Sequence, residues 1–120
     1  MIAVPVRDKG DNPQLEERFG RSDIFCLIDG AGNRKFIDNE APASPSGAGV
    51  QTVQMLADEG VKTVISPEVG PKAMTAMTQL EIKVFHIGEA ANLSELLSLY
   101  NDGKLAERTA PSHGGGLRKA

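Results

Sequence analysis

The sequence predicts a single α/β domain in which a mixed sheet is covered by helices on its faces. Three strand-like runs come first, separated by turn residues, which is typical of an antiparallel meander. The second half alternates helical and strand-like segments, which indicates parallel strands joined by helices. With 120 residues, 40% of them apolar, the chain is long enough for one hydrophobic core but not for two.

The meander is predicted within the first 39 residues. Apolar and small residues alternate at positions 2–6, which indicates a first strand. Pro5 is expected at its last rung, because proline has no amide hydrogen to donate to a ladder. The runs 24–29 and 34–39 flank a short turn rich in glycine and predict a hairpin. Residues 7–21 lack a sustained period and predict a long loop, which in a compact domain is often functional.

Three amphipathic helices are predicted in the second half, separated by the strand-like runs 61–66 and 82–86. The first helix is expected to end near Gly60, and the third is expected to begin after Asn92, which forms a capping-box variant with Glu95. The apolar faces expected to be buried are Val50, Val53, Leu56 and Ala57 in the first helix and Ala73, Met74, Met77 and Leu80 in the second.

Composition limits the classes of function. We expect residues 1–105 to form the domain and residues 106–120 to be a flexible tail. The N-terminus lacks the basic flank and long apolar region of a secretion signal, so a cytoplasmic, non-membrane protein is expected. We also expect it to be a monomer. The single cysteine, Cys26, excludes an internal disulfide or a cage of several thiolates from this chain alone. A formal charge of −3 with scattered charges gives no basic stripe for nucleic acid.

Loops that follow the parallel strands are the expected place for a ligand, because such loops meet at one edge of the sheet. Here they are residues 7–21, 66–71 and 86–88. Two predicted helices begin with small residues in this region, so that a ligand could approach free backbone amides at the positive end of each helix dipole. Arginines in the first loop carry planar donors suited to anions. The candidate binding residues are Arg18, Arg21, Ser22, Gly47, Ala48, Gly49, Gly70, Pro71, Lys72 and His86.

Each of these features also has a structural explanation. A glycine before a helix is often only a turn, and Arg18 and Arg21 could be solvated surface residues on either side of a buried Phe19. His86 could be a structural histidine, and Cys26, between apolar neighbours, is expected in the core. His86 and Cys26 nevertheless remain the candidate metal ligands. The carboxylates Asp8, Asp11, Glu16 and Glu17 share the long loop, but their spacing matches no calcium loop.

Catalysis is not indicated by the sequence. The chain has none of the GxSxG, HExxH or cysteine–histidine signatures, and it has only two histidines to act as a general base near neutral pH. The glycine patterns match neither GxGxxG nor GxxxxGK[ST], so nucleotide binding is not indicated either. We therefore expect a binding protein that is not an enzyme.

Several short motifs occur in the same order as in a known family. They are residues 1–6, 17–22, 47–49, 60–65 and 69–71. On these motifs the chain, over roughly residues 1–105, resembles the dinitrogenase iron–molybdenum cofactor biosynthesis family, which includes NifX, NafY and the C-terminal part of NifB. The resemblance implies a ribonuclease-H-like fold, with a five-stranded mixed sheet and helices on both faces.

The resemblance also implies noncatalytic binding or carriage of a metal–sulfide cluster. The chain looks especially like a small family member that holds a molybdenum–copper sulfide cluster, and an iron–molybdenum type cluster is the alternative. Such clusters are anionic and covered with weak sulfur acceptors, so backbone amides and arginines suit them. Many members have histidine directly before the Phe-Gly pair, where this chain has Arg18. An electrostatic cradle is therefore expected here in place of a histidine–metal bond.

Two other functions remain open. In the first, the domain is an interaction module without a bound cluster. Residues 40–49 and 104–120, both expected to be mobile, would then dock on a partner ATPase of the kind that often accompanies this family. The second, a metal-dependent nuclease, would rest on the name of the fold, which is poor evidence for function. The converging carboxylates that such an enzyme needs cannot be assembled from the expected strand positions.

Overall fold

The computed structural model describes residues 1–39 and 48–108, and this part of the chain forms five strands and three helices. All five observed strands lie within two residues of the predicted runs, the first helix ends two residues before Gly60, and the third begins directly after Asn92, as predicted. The strands are β1 (Ile2–Val6), β2 (Ile24–Ile28), β3 (Arg34–Asp38), β4 (Thr63–Ile65) and β5 (Lys83–Phe85), and the helices are α1 (Ala48–Asp58), α2 (Pro71–Gln79) and α3 (Leu93–Asn101).

The five strands form one mixed sheet in the order β3-β2-β1-β4-β5. The first three strands pair antiparallel, and β4 and β5 continue the sheet from β1 in parallel. The predicted meander followed by parallel strands is therefore confirmed. β1 lies at the centre of the sheet, so the loops that follow β1, β4 and β5 start from one edge.

Pro5 lies one rung before the end of β1, whereas the sequence placed it at the last rung. The register between β1 and β4 runs only from Ile2 to Ala3, so Pro5 lies beyond the parallel ladder. Its carbonyl accepts a hydrogen bond from the amide of Glu16 at 2.9 Å. A proline is tolerated in this central strand because the chain has left one of its two ladders at that point.

Two apolar layers lie on opposite faces of the sheet. Side chains such as Ala3 and Phe25 pack with α1 and α2 on one face. Val4 and Cys26, at the alternate positions of the same strands, pack with Leu93 and other residues of α3 on the other face. Alternation with period two therefore divides β1 and β2 between both layers, and the expected coverage by helices on both faces is confirmed.

Two residues predicted on buried helix faces are exposed. Val50 is 42% exposed in the first turn of α1, and Leu80 is 38% exposed at the C-cap of α2. Both positions fit the helical period of the buried face. Val50 and Leu80 lie at helix ends. At those ends the helix extends beyond the elements that cover its apolar face, so these two side chains are exposed. The other predicted positions on these two faces are buried or half-buried.

Residues 106–108, which directly follow the predicted domain of residues 1–105, contact strand β5. Ala106 accepts a hydrogen bond from the amide of His86 at 2.9 Å, and Glu107 bridges to Phe85. Residues 106–108 therefore lie along β5, while residues 40–47 and 109–120 fall outside the described parts. Nowhere in those parts is there a helix with the length and apolar character needed to cross a bilayer.

Candidate anion-binding site

The loops after β1, β4 and β5 lie next to one another, as predicted. The amide of Phe19 donates to the carbonyl of Glu68 at 3.3 Å, which joins the loop after β1 to the loop after β4. The amide of Leu15 donates to the carbonyl of Ala91 at 3.4 Å, which joins the first loop to the segment after β5. Cavities open between these loops at this edge of the sheet.

One cavity, of about 400 Å³, brings together most of the candidate residues. Its size falls within the usual range of small-molecule sites. We call it the arginine pocket, and its lining residues are Arg18, Phe19, Gly20, Arg21, Gly49, Glu68, Gly70, Pro71, Lys72 and Ala73. Six of these were candidates from the sequence, namely Arg18, Arg21, Gly49, Gly70, Pro71 and Lys72.

Phe19 anchors the loop that carries both arginines. It is only 2% exposed, and its ring meets Phe25 edge to face with 5.4 Å between centroids. Arg18 and Arg21 stay exposed on either side of this anchor. Ser22, predicted to contact the ligand, is buried and donates to the carbonyl of Ile24 at 2.7 Å. Ser22 therefore stabilises the loop from below and does not line the pocket.

α2 begins at the pocket without a side-chain cap. Gly70 is its N-cap residue, and Pro71 occupies the first helical position, where a missing amide hydrogen costs nothing. The next two amides belong to Lys72 and Ala73, which both line the pocket. A Cβ placed on Gly70 would meet no described atom within 4 Å. The positive end of this helix therefore faces open space large enough for a ligand.

Gly49 has a packing role that the sequence did not suggest. The sequence pattern indicated a small residue that lets a ligand approach the start of α1. A Cβ on Gly49 would lie 3.1 Å from Cβ of Ala73 in α2, closer than such atoms normally pack. Although Gly49 lines the pocket, the close approach of α1 and α2 accounts for the glycine.

The pocket is locally cationic although the chain is acidic overall. Arg18, Arg21 and Lys72 line it together with one carboxylate, Glu68. Among the residues that the structure describes, the side chains of Arg18 and Lys72 form no ion pair. Arg7, by comparison, lies 3.8 Å from the Glu16 carboxylate. Positive charge in the arginine pocket is therefore available to an anion.

The candidate metal ligands lie outside the arginine pocket. His86 is exposed, and its Nδ1 accepts a hydrogen bond from Nη2 of Arg108 at 2.9 Å, the ring acting as the acceptor because the guanidinium can only donate. The ring is nevertheless partly shielded from water, and this desolvation together with the charge of Arg108 holds the pKa of His86 below its usual value. Cys26 is fully buried in β2, where burial raises the pKa of its thiol and the nearby Arg34 partly opposes this shift. Neither side chain is placed to meet a ligand in the pocket.

Two of the four carboxylates of the long loop, Asp8 and Glu16, interact with other groups of the protein. Asp8 accepts hydrogen bonds from the amides of Gly10 and Gln14, and Glu16 pairs with Arg7. In the described ranges, no three His, Cys, Asp or Glu side chains converge to hold a metal ion.

Glu68 and Ala73 line the pocket but were not predicted as site residues. Glu68 was missed, although its place in the loop after β4 could have suggested it. Ala73 was assigned only to the core. Gly47 lies outside the described residues. Ala48 begins α1, but its side chain is not among those described.

Comparison with known proteins identifies the family. The profile of the dinitrogenase iron–molybdenum cofactor family matches residues 1–103. This chain belongs to that family. Its fold is similar to the apo form of the orange protein from Desulfovibrio gigas, with a TM-score of 0.88 and 29% identity over 93% of this chain and 95% of that one.

Two further relatives agree with membership of the iron–molybdenum cofactor family. A candidate NifB protein from Thermotoga superposes with a TM-score of 0.81 and 28% identity over 95% of this chain and 97% of that one. An uncharacterised protein of Methanocaldococcus jannaschii is 31% identical over 108 residues, which is 87% of each chain. The resemblance drawn from the short motifs is therefore confirmed.

Proposed function

We propose that this domain binds and carries an anionic metal–sulfide cluster, held noncovalently in the arginine pocket. The proposal depends chiefly on one observation, that Arg18 and Lys72, which form no ion pair among the described residues, meet the uncapped N-terminus of α2 in a single cavity. Family membership and the structural similarity to the orange protein support a molybdenum-containing cluster as the ligand class. A molybdenum–copper sulfide cluster is the specific cargo we propose, with an iron–molybdenum type as the alternative.

The donors of the pocket match the surface chemistry of such a cluster. Sulfide ligands spread negative charge over large, weakly accepting atoms, so many moderate contacts suit them better than one short bond. Arg18 and Arg21 offer planar guanidinium groups that are weakly hydrated and shed water readily. The amides of Lys72 and Ala73 add fixed dipoles. Binding without a protein–metal bond would also allow the cluster to be released intact.

Anaerobic titration with tetrathiomolybdate, with and without copper(I), tests this function. We expect visible charge-transfer bands that saturate as the pocket fills and weaken as salt screens the charges. An Arg18→Gln/Lys72→Gln variant should lower the affinity at least about tenfold, because it removes two charged donors.

A control with the same net charge is available at the other end of the sheet. Lys62 and Lys83 are exposed and lie at the N-terminal ends of β4 and β5, away from the loops that form the pocket. A Lys62→Gln/Lys83→Gln variant should keep nearly the affinity of the unaltered protein. Equal losses in the two double variants would indicate nonspecific attraction, and full binding by the Arg18→Gln/Lys72→Gln variant would reject the pocket.

We further propose that the protein is a noncatalytic monomer in the cytoplasm. The alternative to cluster carriage is an interaction module that works with a partner ATPase and has no bound cluster. Most of the two segments assigned to that docking, residues 40–49 and 104–120, lie outside the described residues. A protein that stays free of metal in its own cell would favour this alternative.

A further inference from the structure

Arg108 is a buried arginine beyond the predicted end of the domain. It is 5% exposed, and its amide donates to the carbonyl of Val84 at 2.6 Å, which places it beside β5. Its Nε has no hydrogen-bond partner among the described residues. Burying a donor without a partner is costly, so a guanidinium at this position calls for an explanation.

The guanidinium joins the C-terminal segment to the loop that forms one wall of the arginine pocket. Nη2 of Arg108 donates to the carbonyl of Pro67 at 2.8 Å and to Nδ1 of His86 at 2.9 Å. Pro67 immediately precedes Glu68, which lines the pocket. One side chain therefore holds the loop after β4 against the end of β5.

From Glu68 the connection continues across the pocket. The carbonyl of Glu68 accepts from the amide of Phe19 at 3.3 Å and from Oγ of Ser66 at 3.1 Å. Phe19 is the buried anchor next to Arg18. A shift of the segment at Pro67 and Glu68 would therefore displace both the wall of the pocket and a neighbouring cationic side chain.

We propose that Arg108 is a positioning residue of the arginine pocket, which fixes the segment at Pro67 and Glu68 and, through it, the place of Arg18. The charge of Arg108 also favours an anionic ligand. Because its guanidinium is bonded to the carbonyl of Pro67, directly before Glu68, its positive charge offsets the negative charge of the Glu68 carboxylate, which would otherwise repel the ligand. This inference rests on the proposed function for its ligand, but the positioning itself can be measured without any ligand.

Amide hydrogen exchange of the ligand-free protein tests the positioning. In an Arg108→Gln variant, the amide of Phe19 should exchange at least about tenfold faster, because its acceptor is no longer held in place. The amide of Leu27 in β2 should change less, since it reports on the opening of the core. A Lys104→Gln variant, which removes an exposed base from the same segment, should match the unaltered protein.

Rescue by a conservative substitution separates positioning from general stability. Arg108→Lys keeps the charge and one donor for Pro67 but loses the planar fork, so it should restore part of the slow exchange at Phe19. This variant also provides the test if Arg108→Gln fails to fold. Exchange at Phe19 that stays unchanged, or rises only as much as exchange at Leu27, would overturn the proposal.

Dissociation of tetrathiomolybdate gives a second readout and tests the role of charge. Arg108→Gln should speed dissociation about tenfold, and adding Glu68→Gln should reverse part of that change, because the uncompensated carboxylate is removed. An unchanged dissociation rate in Arg108→Gln would contradict the proposal. If the unaltered protein binds no tetrathiomolybdate, the proposed function fails, and the exchange of Phe19 alone decides whether Arg108 positions the wall.

Discussion

Helices α2 and α3 both have nine residues and begin at the same edge of the sheet, but their N-termini are treated differently. At α3, the protein satisfies its own amides. The Asn92 side chain accepts from Glu95 at 3.0 Å, Asn12 accepts from Ser94 at 2.9 Å, and the carbonyl of Pro13 accepts from Leu93 at 2.9 Å. At α2, the N-cap is Gly70, and no side chain of the described protein caps the helix.

We interpret this difference as a structural role for the start of α3 and as support for the binding role proposed for the start of α2. A helix leaves its first amides without internal partners, and a polar N-cap residue is the usual remedy. At α3, three separate acceptors satisfy the first amides. α2 lacks such a cap at the point where Arg18 and Lys72 also form no ion pair with any described residue. A negatively charged ligand would supply both the missing acceptors for the first amides of α2 and a counter-charge for the cationic side chains. The following predictions test that interpretation.

Gly70→Asp gives α2 the kind of cap that α3 has, and it should produce the largest effect. The carboxylate would accept a hydrogen bond from the amide of Lys72 or Ala73 and place a negative charge in the arginine pocket. We expect tetrathiomolybdate affinity to fall at least about tenfold, while the free energy of unfolding rises by about 0.5 kcal/mol. Anaerobic titration and chemical denaturation measure the two changes.

Gly70→Ser separates capping from charge. Its hydroxyl can cap the helix without adding a negative charge, so affinity should fall less than in Gly70→Asp. If both substitutions left affinity at its original value, the N-terminus of α2 would not contact the ligand.

Gly49→Val distinguishes the two glycines of the pocket and should have the next largest effect. Because a Cβ at Gly49 lies only 3.1 Å from Cβ of Ala73, a valine should force α1 and α2 apart and destabilise the fold by about 1–3 kcal/mol. Gly70→Ala is the matched control and should leave stability nearly unchanged. Equal stability losses in chemical denaturation would contradict the different roles assigned to these glycines.

Asn92→Ala removes the cap of α3 and should affect stability without affecting binding. We expect the free energy of unfolding to fall by about 1 kcal/mol, since the amide of Glu95 loses its acceptor. Tetrathiomolybdate affinity should stay within the error of the titration. A clear loss of affinity would mean that the ligand contacts the start of α3 as well.

His86 should give the smallest effect, a weak dependence of stability on pH. Its pKa is lowered in the folded protein, so the unfolded chain takes up the proton first as the pH falls below about 6.5. The folded state should therefore lose some stability between pH 7.5 and pH 5.5. His86→Gln, which keeps an acceptor for Arg108, should reduce that loss. Thermal unfolding at both pH values checks this, and equal losses in the two proteins would contradict it.

The helices and strands were predicted well because their signals, helix caps and apolar periodicity, lie within each segment. The Asn92 cap marks a helix start through one side chain. Short apolar runs bounded by turn residues likewise indicate strands. The predicted burial of Val50 and Leu80 was wrong because a periodic pattern does not tell where the neighbouring element ends. The arginine pocket was foreseen in part because strand ends and glycine-flanked helix starts determine which loops meet.

Other features of the site depend on contacts between distant parts of the chain. The close approach of Gly49 and Ala73 is set by how α1 and α2 pack, and no local pattern encodes that distance. Arg108 was assigned to a tail because its own segment lacks periodicity, whereas its partners Pro67 and His86 lie on other loops. Such contacts become visible only once the sheet has brought those loops together.

Metal analysis and a visible spectrum of the protein, purified anaerobically from its native host beside the Gly70→Asp variant, test the central claim most directly. The account predicts molybdenum with copper or iron and strong visible bands in the unaltered protein, and loss of both metal and colour in the variant. A colourless, metal-free native protein, or a variant that keeps its full load of metal, would contradict the claim that the arginine pocket carries a metal–sulfide cluster.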